Sequence, residues 1–158
     1  MPSAVDIADG DLLLRPWTTE DAAAVGLAPA RPEIGRYFGS PFDGFPDPDP
    51  DAPSFTIVVD GTPVGRIWCA PQQRPFEVGY FLRPDARGRG LATRSLRLVS
   101  EWLQAQGESV VVHCTHPENE RSQCVAERAG YRHDGEIAEY ARFKDGTTRA
   151  LRFVREGV

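Results

Sequence analysis

From Ala92 to Leu103 the apolar residues keep to one helical face. Ala92, Leu96, Val99 and Leu103 recur at spacings of four, three and four, and Arg94, Arg97, Glu101 and Gln104 take the opposite side. This predicts a helix from about Gly90 to Gln106, stopped at Gly107. Elsewhere the pattern is shorter and β-like. Leu12-Leu13-Leu14-Arg15-Pro16 reads as a first strand ending at its proline. Ser54–Val59 and Pro63–Cys69 are β-rich runs joined by the hairpin signal Asp60-Gly61. Residues 76–82 and 109–114 are further strands. A second long helix starts at an Asn119 cap and stops at Gly130, with Ser122, Val125, Ala126 and Ala129 on one face. Two strands, about 136–143 and 147–155, close the chain through Asp145-Gly146.

Between the first strand and the hairpin the pattern weakens. Thr18 or Thr19 can cap a short helix with Glu20 and Asp21 in its first turn, and residues 31–38, opened by Pro32, read as another. From Pro41 to Pro53 the chain is Pro, Asp and Gly, a loop of unusual length for a compact domain. The order of elements predicts a mixed α/β sheet with helices packed on it, in a single domain spanning 1–158.

Composition narrows the class. The chain has 158 residues, 41% of them hydrophobic, enough for one globular domain with its own core. No apolar run approaches the ~18–20 residues of a membrane span, and Met1–Gly10 lacks the basic start of a signal peptide, so a cytoplasmic protein without a membrane partner is expected. Cys69, Cys114 and Cys124 are an odd number without CxxC spacing, against a disulfide framework or a structural zinc site. His113 and His116 flank Cys114, but neighbouring strand residues point to opposite faces, and no metal is expected. A net charge of −5 argues against a nucleic-acid surface. The charge is uneven, however. Arg83, Arg87, Arg89, Arg94 and Arg97 cluster with only Asp85 opposing them, whereas Asp43, Asp47, Asp49 and Asp51 form an acidic run.

That basic cluster sits where a strand gives way to a helix. Helix N-termini expose unpaired N–H groups and a partial positive charge, and Gly88 and Gly90 let an anion approach the backbone. An ordinary solvated turn has the same composition; the strand before it and the helix after it favour a pyrophosphate cradle. The loop is neither a P-loop, since no Lys follows Gly90, nor a dinucleotide fingerprint, since the third glycine is missing.

Arg87-Gly88-Arg89-Gly90-Leu91-Ala92 instead resembles the Arg/Gln-x-x-Gly-x-Gly/Ala pattern of the GCN5-related N-acetyltransferases (GNAT). The preceding Glu77-Val78-Gly79-Tyr80-Phe81-Leu82 is similar to the strand of the subgroup that acetylates ribosomal-protein N-termini and related amines. Asn119-Glu120-Arg121-Ser122, running to Gly130-Tyr131, resembles the family's later motif. The resemblance spans most of the chain and is weakest over 30–53. It implies a mixed, mostly antiparallel sheet of about six to seven strands with helices on both faces. It also implies acetyl-CoA as cosubstrate, an amine as acceptor, and a monomer or homodimer. Backbone amides of Arg87, Gly88, Arg89, Gly90, Leu91 and Ala92 would hold the pyrophosphate. The strand end Phe81, Leu82 and Arg83 would pair with the pantetheine like an added β-strand. Thr93 would reach a phosphate oxygen, and Asn119 and Ser122 would face the pantetheine arm and thiol. A plain N-cap also explains Asn119.

Attack of an amine on a thioester needs a base, and Glu77 is the candidate: a lone carboxylate in an apolar strand has a raised pKa if buried. The alternatives are an edge charge facing water or a salt bridge to an Arg. The acid is less defined. Many relatives carry a Tyr four residues after the Ser122 position, and here that site is Ala126. Ser122 then orients a hydrogen bond near the sulfur, or merely packs, and water is the other proton source. Cys124 reads as structural. The acidic run either attracts a cationic amine or solvates its loop; Trp68, Tyr37 and Tyr140 line the acceptor site or the core. The expected function is transfer of acetyl from acetyl-CoA to a primary amine, at a protein N-terminus or on a small molecule such as an antibiotic. The alternative is a non-catalytic acyl-CoA-binding regulatory module.

Overall fold

Ser54–Val59 is buried at every position, as a strand covered on both faces must be, and it lies inside the sheet. The computed structural model describes residues 3–25, 52–69, 75–140 and 145–157. The expected helix at 31–38, nearly all of the Pro-rich loop, and Tyr37 fall outside them. Among the described residues the strands are β1 (Ile7–Asp9), β2 (Leu12–Pro16), β3 (Ser54–Val59), β4 (Thr62–Cys69), β5 (Phe76–Leu82), β6 (Val110–Thr115), β7 (Arg132–Ile137) and β8 (Ala150–Glu156). The helices are α1 (Asp21–Ala24), α2 (Leu91–Ala105) and α3 (Glu120–Arg128), with a 3-10 turn at Pro84–Ala86.

The sheet therefore has eight strands rather than six or seven, in the order β1-β2-β3-β4-β5-β6-β8-β7. The addition is β1, a three-residue edge strand that pairs Ile7 to Leu14 and Asp9 to Leu12 across the Gly10-Asp11 turn. The polar character of the first ten residues hid it. The closing hairpin is also displaced from its expected place. Strand β7 begins at Arg132, and the sequence hides that start because the first five residues, Arg132 to Glu136, are polar or glycine and all exposed, with no alternation to read. Ion pairs from Arg132 to Glu156, Arg149 to Glu136 and Arg152 to Asp134 tie this edge together.

All neighbouring strands run antiparallel except β5 and β6. That parallel pair needs a crossover, which α2 supplies. Leu91, Leu96, Val99 and Leu103 of α2 join Phe76, Val78 and Leu82 of β5 in the main core, with Ala126 and Ala129 from the α3 end. The opposite face of β5 carries Phe81, which packs with Trp17 and Val25 beside α1. Helices thus lie on both faces, as expected.

Helix α1 starts at an N-cap of Glu20 without a side-chain bond, not at Thr18 or Thr19. Asp21 does the tying instead. Its carboxylate takes both guanidinium nitrogens of Arg15 at 2.8 Å, the Thr18 amide at 3.1 Å and the Thr56 hydroxyl at 2.6 Å. The Arg15 hydrogen bonds hold the Asp21 carboxyl well below the usual carboxylate range, against the cost of burial.

Asp21→Ala should therefore destabilise the fold by about 3 kcal/mol, the scale for removing one partner of a buried ion pair. Because the folded carboxyl is depressed, the loss should be complete above the ordinary aspartate range and shrink as pH falls through the folded value. Denaturant unfolding of both proteins at neutral and strongly acidic pH measures this; a pH-independent difference would contradict it.

Candidate active site

Strands β5 and β6 pair only at Phe76 with Val111 and at Glu77 with Val112. Beyond that point both continue, but apart. Strand β5 stays on β4 through Val78–Leu82, and β6 stays on β8 through His113–Thr115. The edge of β5 that faces β6 is thereby left open. Arg83 donates its amide to Val64 of β4 at 2.8 Å, so by alternation Phe81 and Arg83 turn their backbone groups to β4. Val78, Tyr80 and Leu82 turn theirs to the open side, and His113 reaches the Val78 carbonyl there at 2.7 Å. Of Phe81, Leu82 and Arg83, only Leu82 presents its backbone to the gap.

The open edge ends at the Gly/Arg turn. Gly88 and Gly90 sit at φ +77 and +73, a left-handed backbone that glycine takes without cost, and a Cβ on either would meet nothing within 4 Å. The left-handed turn and the open space in front of it leave the backbone approachable. Gly90 caps α2 and has no side chain, so the first-turn amides of Leu91, Ala92 and Thr93 receive no capping bond from that position. The arginines divide. Arg83 is paired with Asp85 at 2.7 Å, and Arg94 with Asp9 and Asp11. Arg87 folds back to the Leu82 carbonyl at 3.2 Å. Arg89 is exposed. It lines, with Arg83, Asp60 and Thr62, an open cleft of about 240 Å³ beside the turn.

Glu77 lies on the face of β5 away from α2, at the last residue that β6 still holds. Tyr140 donates its hydroxyl to this carboxylate, and the Cys114 thiol is a second donor. Burial raises the Glu77 carboxyl above the ordinary glutamate value, outweighing both hydrogen bonds. The same burial pushes the Cys114 thiol up to about 12, so it stays protonated at neutral pH. Two residues along the same face is Gly79, where a Cβ would fall 2.8 Å from the Trp68 ring. Glycine thus lets Trp68 lie against β5 beside Glu77. Arg66 stands over the rings of Trp17 and Trp68 at 4.6 and 5.7 Å and donates to Ser54 at 2.9 Å.

The opposite face carries a second polar group. Ser122, one turn into α3, is 2.8 Å from His113 and 3.4 Å from the Tyr80 hydroxyl. The Asn119 side chain accepts the Ser122 amide at 3.2 Å, so it does serve as an N-cap. Ala126 is fully buried, and no hydroxyl stands at that position. Tyr80 and His113 were not singled out for catalysis from sequence. A period of two from Val78 places Tyr80 on this face, but only the folded chain shows that its hydroxyl meets Ser122 of α3.

The three cysteines are free. Donor atoms of His116, Glu118 and Asp145 lie within 4.8 Å of one another. Both ring nitrogens of His116 are nevertheless engaged: Nδ1 accepts the Glu118 amide at 3.0 Å, which leaves Nε2–H to donate to Asp145 at 2.8 Å. The group clamps the loop before α3 to the β7–β8 hairpin.

A sheet parted between two parallel strands, with a glycine turn and bare helix N-terminus at the end of the open edge, is the geometry on which the comparisons bear. The acetyltransferase (GNAT) domain model matches residues 11–132. The chain belongs to this family and is an enzyme of the N-acetyltransferase class. No curated protein matches at a significant level. Among solved structures, the ribosomal-protein-S5-alanine acetyltransferase from Vibrio fischeri is 17% identical with a TM-score of 0.78, covering 96% of each chain. The ribosomal L7/L12 alpha-N-protein acetyltransferase RimL, in complex with coenzyme A, is 14% identical with a TM-score of 0.81, covering 96% of this chain and 98% of that one. The microcin C7 self-immunity acetyltransferase MccE, in complex with acetyl-CoA and AMP, is 14% identical with a TM-score of 0.76, covering 94% of each. No helix among the described residues is long and apolar enough to cross a membrane.

A carboxyl with a raised pKa is a liability to the fold once ionised. The unfolded chain ionises Glu77 at a lower pH than the folded one, so the group costs stability as pH rises from the ordinary glutamate range through the folded value. Glu77→Gln removes that cost. The variant should gain thermal stability relative to the parent as pH rises, with the two converging in acid; calorimetric melts across pH test it.

Proposed function

We propose that this chain transfers an acetyl group from acetyl-CoA to a primary amine, with Glu77 as general base. The observation that carries this reading is the open edge of β5, which has Glu77 at one end and the glycine turn at the other. From Glu77 to Leu82 the strand runs roughly 17 Å at ~3.3 Å per residue, the order of an extended pantetheine arm. An arm laid along the edge would find the backbone groups of Tyr80 and Leu82 as partners, in the manner of an added strand. Its pyrophosphate would then meet the amides of residues 87–92 and the start of α2, with Thr93 within the same first turn. Asn119 and Ser122 would flank its thiol end.

The acceptor would approach from the Glu77 face. Glu77 takes a proton from the ammonium, directly or through water, and the freed amine attacks the thioester carbonyl. Tyr140 and Cys114 are both neutral donors and orient the carboxylate without adding charge. Trp68 on Gly79 gives the acceptor an aromatic wall beside the base. An amine with an apolar or aromatic neighbour, such as a protein N-terminus or a small amine drug, suits that wall. Solved structures of similar fold include ribosomal-protein acetyltransferases and a microcin C7 self-immunity acetyltransferase, in keeping with these two classes. A thiol-release assay with acetyl-CoA against peptides and small amines tests the function; no release with any primary amine would overturn it.

Gly90→Asp puts a negative side chain where the pyrophosphate would sit, in a left-handed position that Asp tolerates better than most residues. Isothermal titration should show CoA affinity lost with the fold retained; wild-type affinity in the folded variant would remove the cradle.

Glu77→Gln should lower kcat by ~10²–10⁴ with little change in CoA affinity. The base works only when ionised, so wild-type activity should fall as pH drops through the raised Glu77 value. That limb should disappear in the variant. An unchanged profile at wild-type turnover would exclude Glu77 from the mechanism.

A further inference from the structure

The face opposite Glu77 holds a chain of hydrogen bonds whose direction is set at one end. The His113 ring is 4% exposed. Its Nδ1 lies 2.7 Å from the Val78 carbonyl, which can only accept, so Nδ1 carries the proton. Burial lowers the His113 pKa and keeps the ring neutral. Nε2 therefore offers a lone pair to Ser122 at 2.8 Å, and the serine donates its only proton there. What Ser122 has left is oxygen lone pairs. Tyr80, stacked on His113 at 5.6 Å between ring centroids, places its hydroxyl 3.4 Å from that oxygen and is the donor of the pair. The remaining titratable neighbours are Tyr131, edge-on to His113 at 6.5 Å, and Arg87, whose charge acts on Tyr80. Burial outweighs Arg87 and raises the Tyr80 pKa, so the phenol keeps its proton.

We propose that Tyr80, and not Ser122, is the acid that protonates the leaving thiolate: His113 holds the Ser122 proton at 2.8 Å, whereas the Tyr80 proton rests on Ser122 only across 3.4 Å and turns from it to the sulfur, with His113 and Ser122 as positioning residues. The proposal rests on the acyltransferase reading. Tyr80 belongs to the open edge, the next residue after Val78 to face the gap, and its hydroxyl reaches the first turn of α3. A thioester at the end of an arm lying on that edge is beside it. When the tetrahedral adduct collapses, the C–S bond breaks and sulfur keeps the electron pair. The Tyr80 proton moves onto sulfur, and solvent reprotonates the phenolate. The nitrogen sheds two protons in all, one to Glu77 before attack and one on collapse. One balances the proton placed on sulfur and the other is released. A tyrosine from strand β5 thus serves the task for which the resemblance leads one to look at position 126, where Ala126 has no hydroxyl.

Two measurements test this. The first needs no CoA: imidazole nitrogen NMR of the free protein, with His113 assigned from the signal lost in His113→Gln. The expected result is a neutral ring protonated at Nδ1 at and above neutral pH. An Nε2–H tautomer or an imidazolium there would free the Ser122 proton and overturn the assignment, whatever the enzyme acetylates. The second compares variants at saturating acetyl-CoA. Tyr80→Phe should lose about 10²-fold in kcat, with CoA affinity by calorimetry within about twofold, and Ser122→Ala should lose less. Wild-type kcat in folded Tyr80→Phe, or a larger loss in Ser122→Ala, overturns the proposal. Should Tyr80→Phe not fold, a fluorinated tyrosine at position 80 keeps the shape and lowers the phenol pKa. The basic limb of the kcat profile should then move down, and an unmoved limb would overturn the role. An inactive wild-type enzyme with the expected His113 tautomer would overturn the acyltransferase reading itself, and the acid role with it.

Discussion

Strands β5 and β6 share two residue pairs and then separate, and the arrangement of the site follows from that separation. Parting two strands inside a sheet normally leaves rows of unsatisfied backbone groups, at a cost comparable to lost hydrogen bonds. Here the cost is contained because each strand keeps its other neighbour: β4 holds β5 from Val78 to Leu82, and β8 holds β6 from Val110 to Thr115. The exposed side is trimmed further by side chains. His113 takes the Val78 carbonyl at one end of the gap and Arg87 takes the Leu82 carbonyl at the other. Between those two caps the backbone of Tyr80 faces the gap, where the proposed strand-like ligand would lie.

The period of two along β5 then sorts the chemistry. Glu77 and Gly79 face one side, and Val78 and Tyr80 the other. On the Glu77 side sit Tyr140, Cys114 and Trp68; on the Tyr80 side sit His113, Ser122 and α3. A one-residue slip of β5 would exchange the two sets, so the register with β4 fixes which face carries which group. Cys69 opposite Val78 and Leu82 opposite Gly65 pin that register with buried side chains at both ends.

Much of this frame was legible in the sequence, and unevenly so. Helix α2 was read nearly to its ends, because its apolar stripe and Gly107 leave little freedom, and α3 was bounded by Asn119 and Gly130 for the same kind of reason. The β3–β4 hairpin followed from Asp60-Gly61. Strand β1 escaped because three residues are too few for a period to show, and β7 was displaced because its first five residues are all exposed and carry no alternation. The Gly10-Asp11 dipeptide was the available signal for the first. At the site, Glu77 stood out as a carboxylate in an apolar strand, but its partner Tyr140 comes from a hairpin more than sixty positions away. Ser122 was found through a motif, yet the direction of its proton was not readable at all. That depends on a carbonyl, Val78, which the strand would have given to β6 had the two not diverged.

The proposed reaction draws on polar groups from opposite faces of β5, and the gap is what would let them meet. A continuous β5–β6 ladder, with strands ~4.8 Å apart and hydrogen-bonded throughout, would wall the amine off from a thioester on the other side. Opening the ladder just past Glu77 leaves that carboxyl, the proposed base, at the apex of the gap. It also leaves the carbonyl of Val78 to orient His113 on the far face. The same missing hydrogen bonds would therefore give a strand-like ligand its edge and an amine its passage, and they leave the Val78 carbonyl to the His113 ring. Strengthening the pairing beyond Glu77 would stabilise the sheet and close off all three at once.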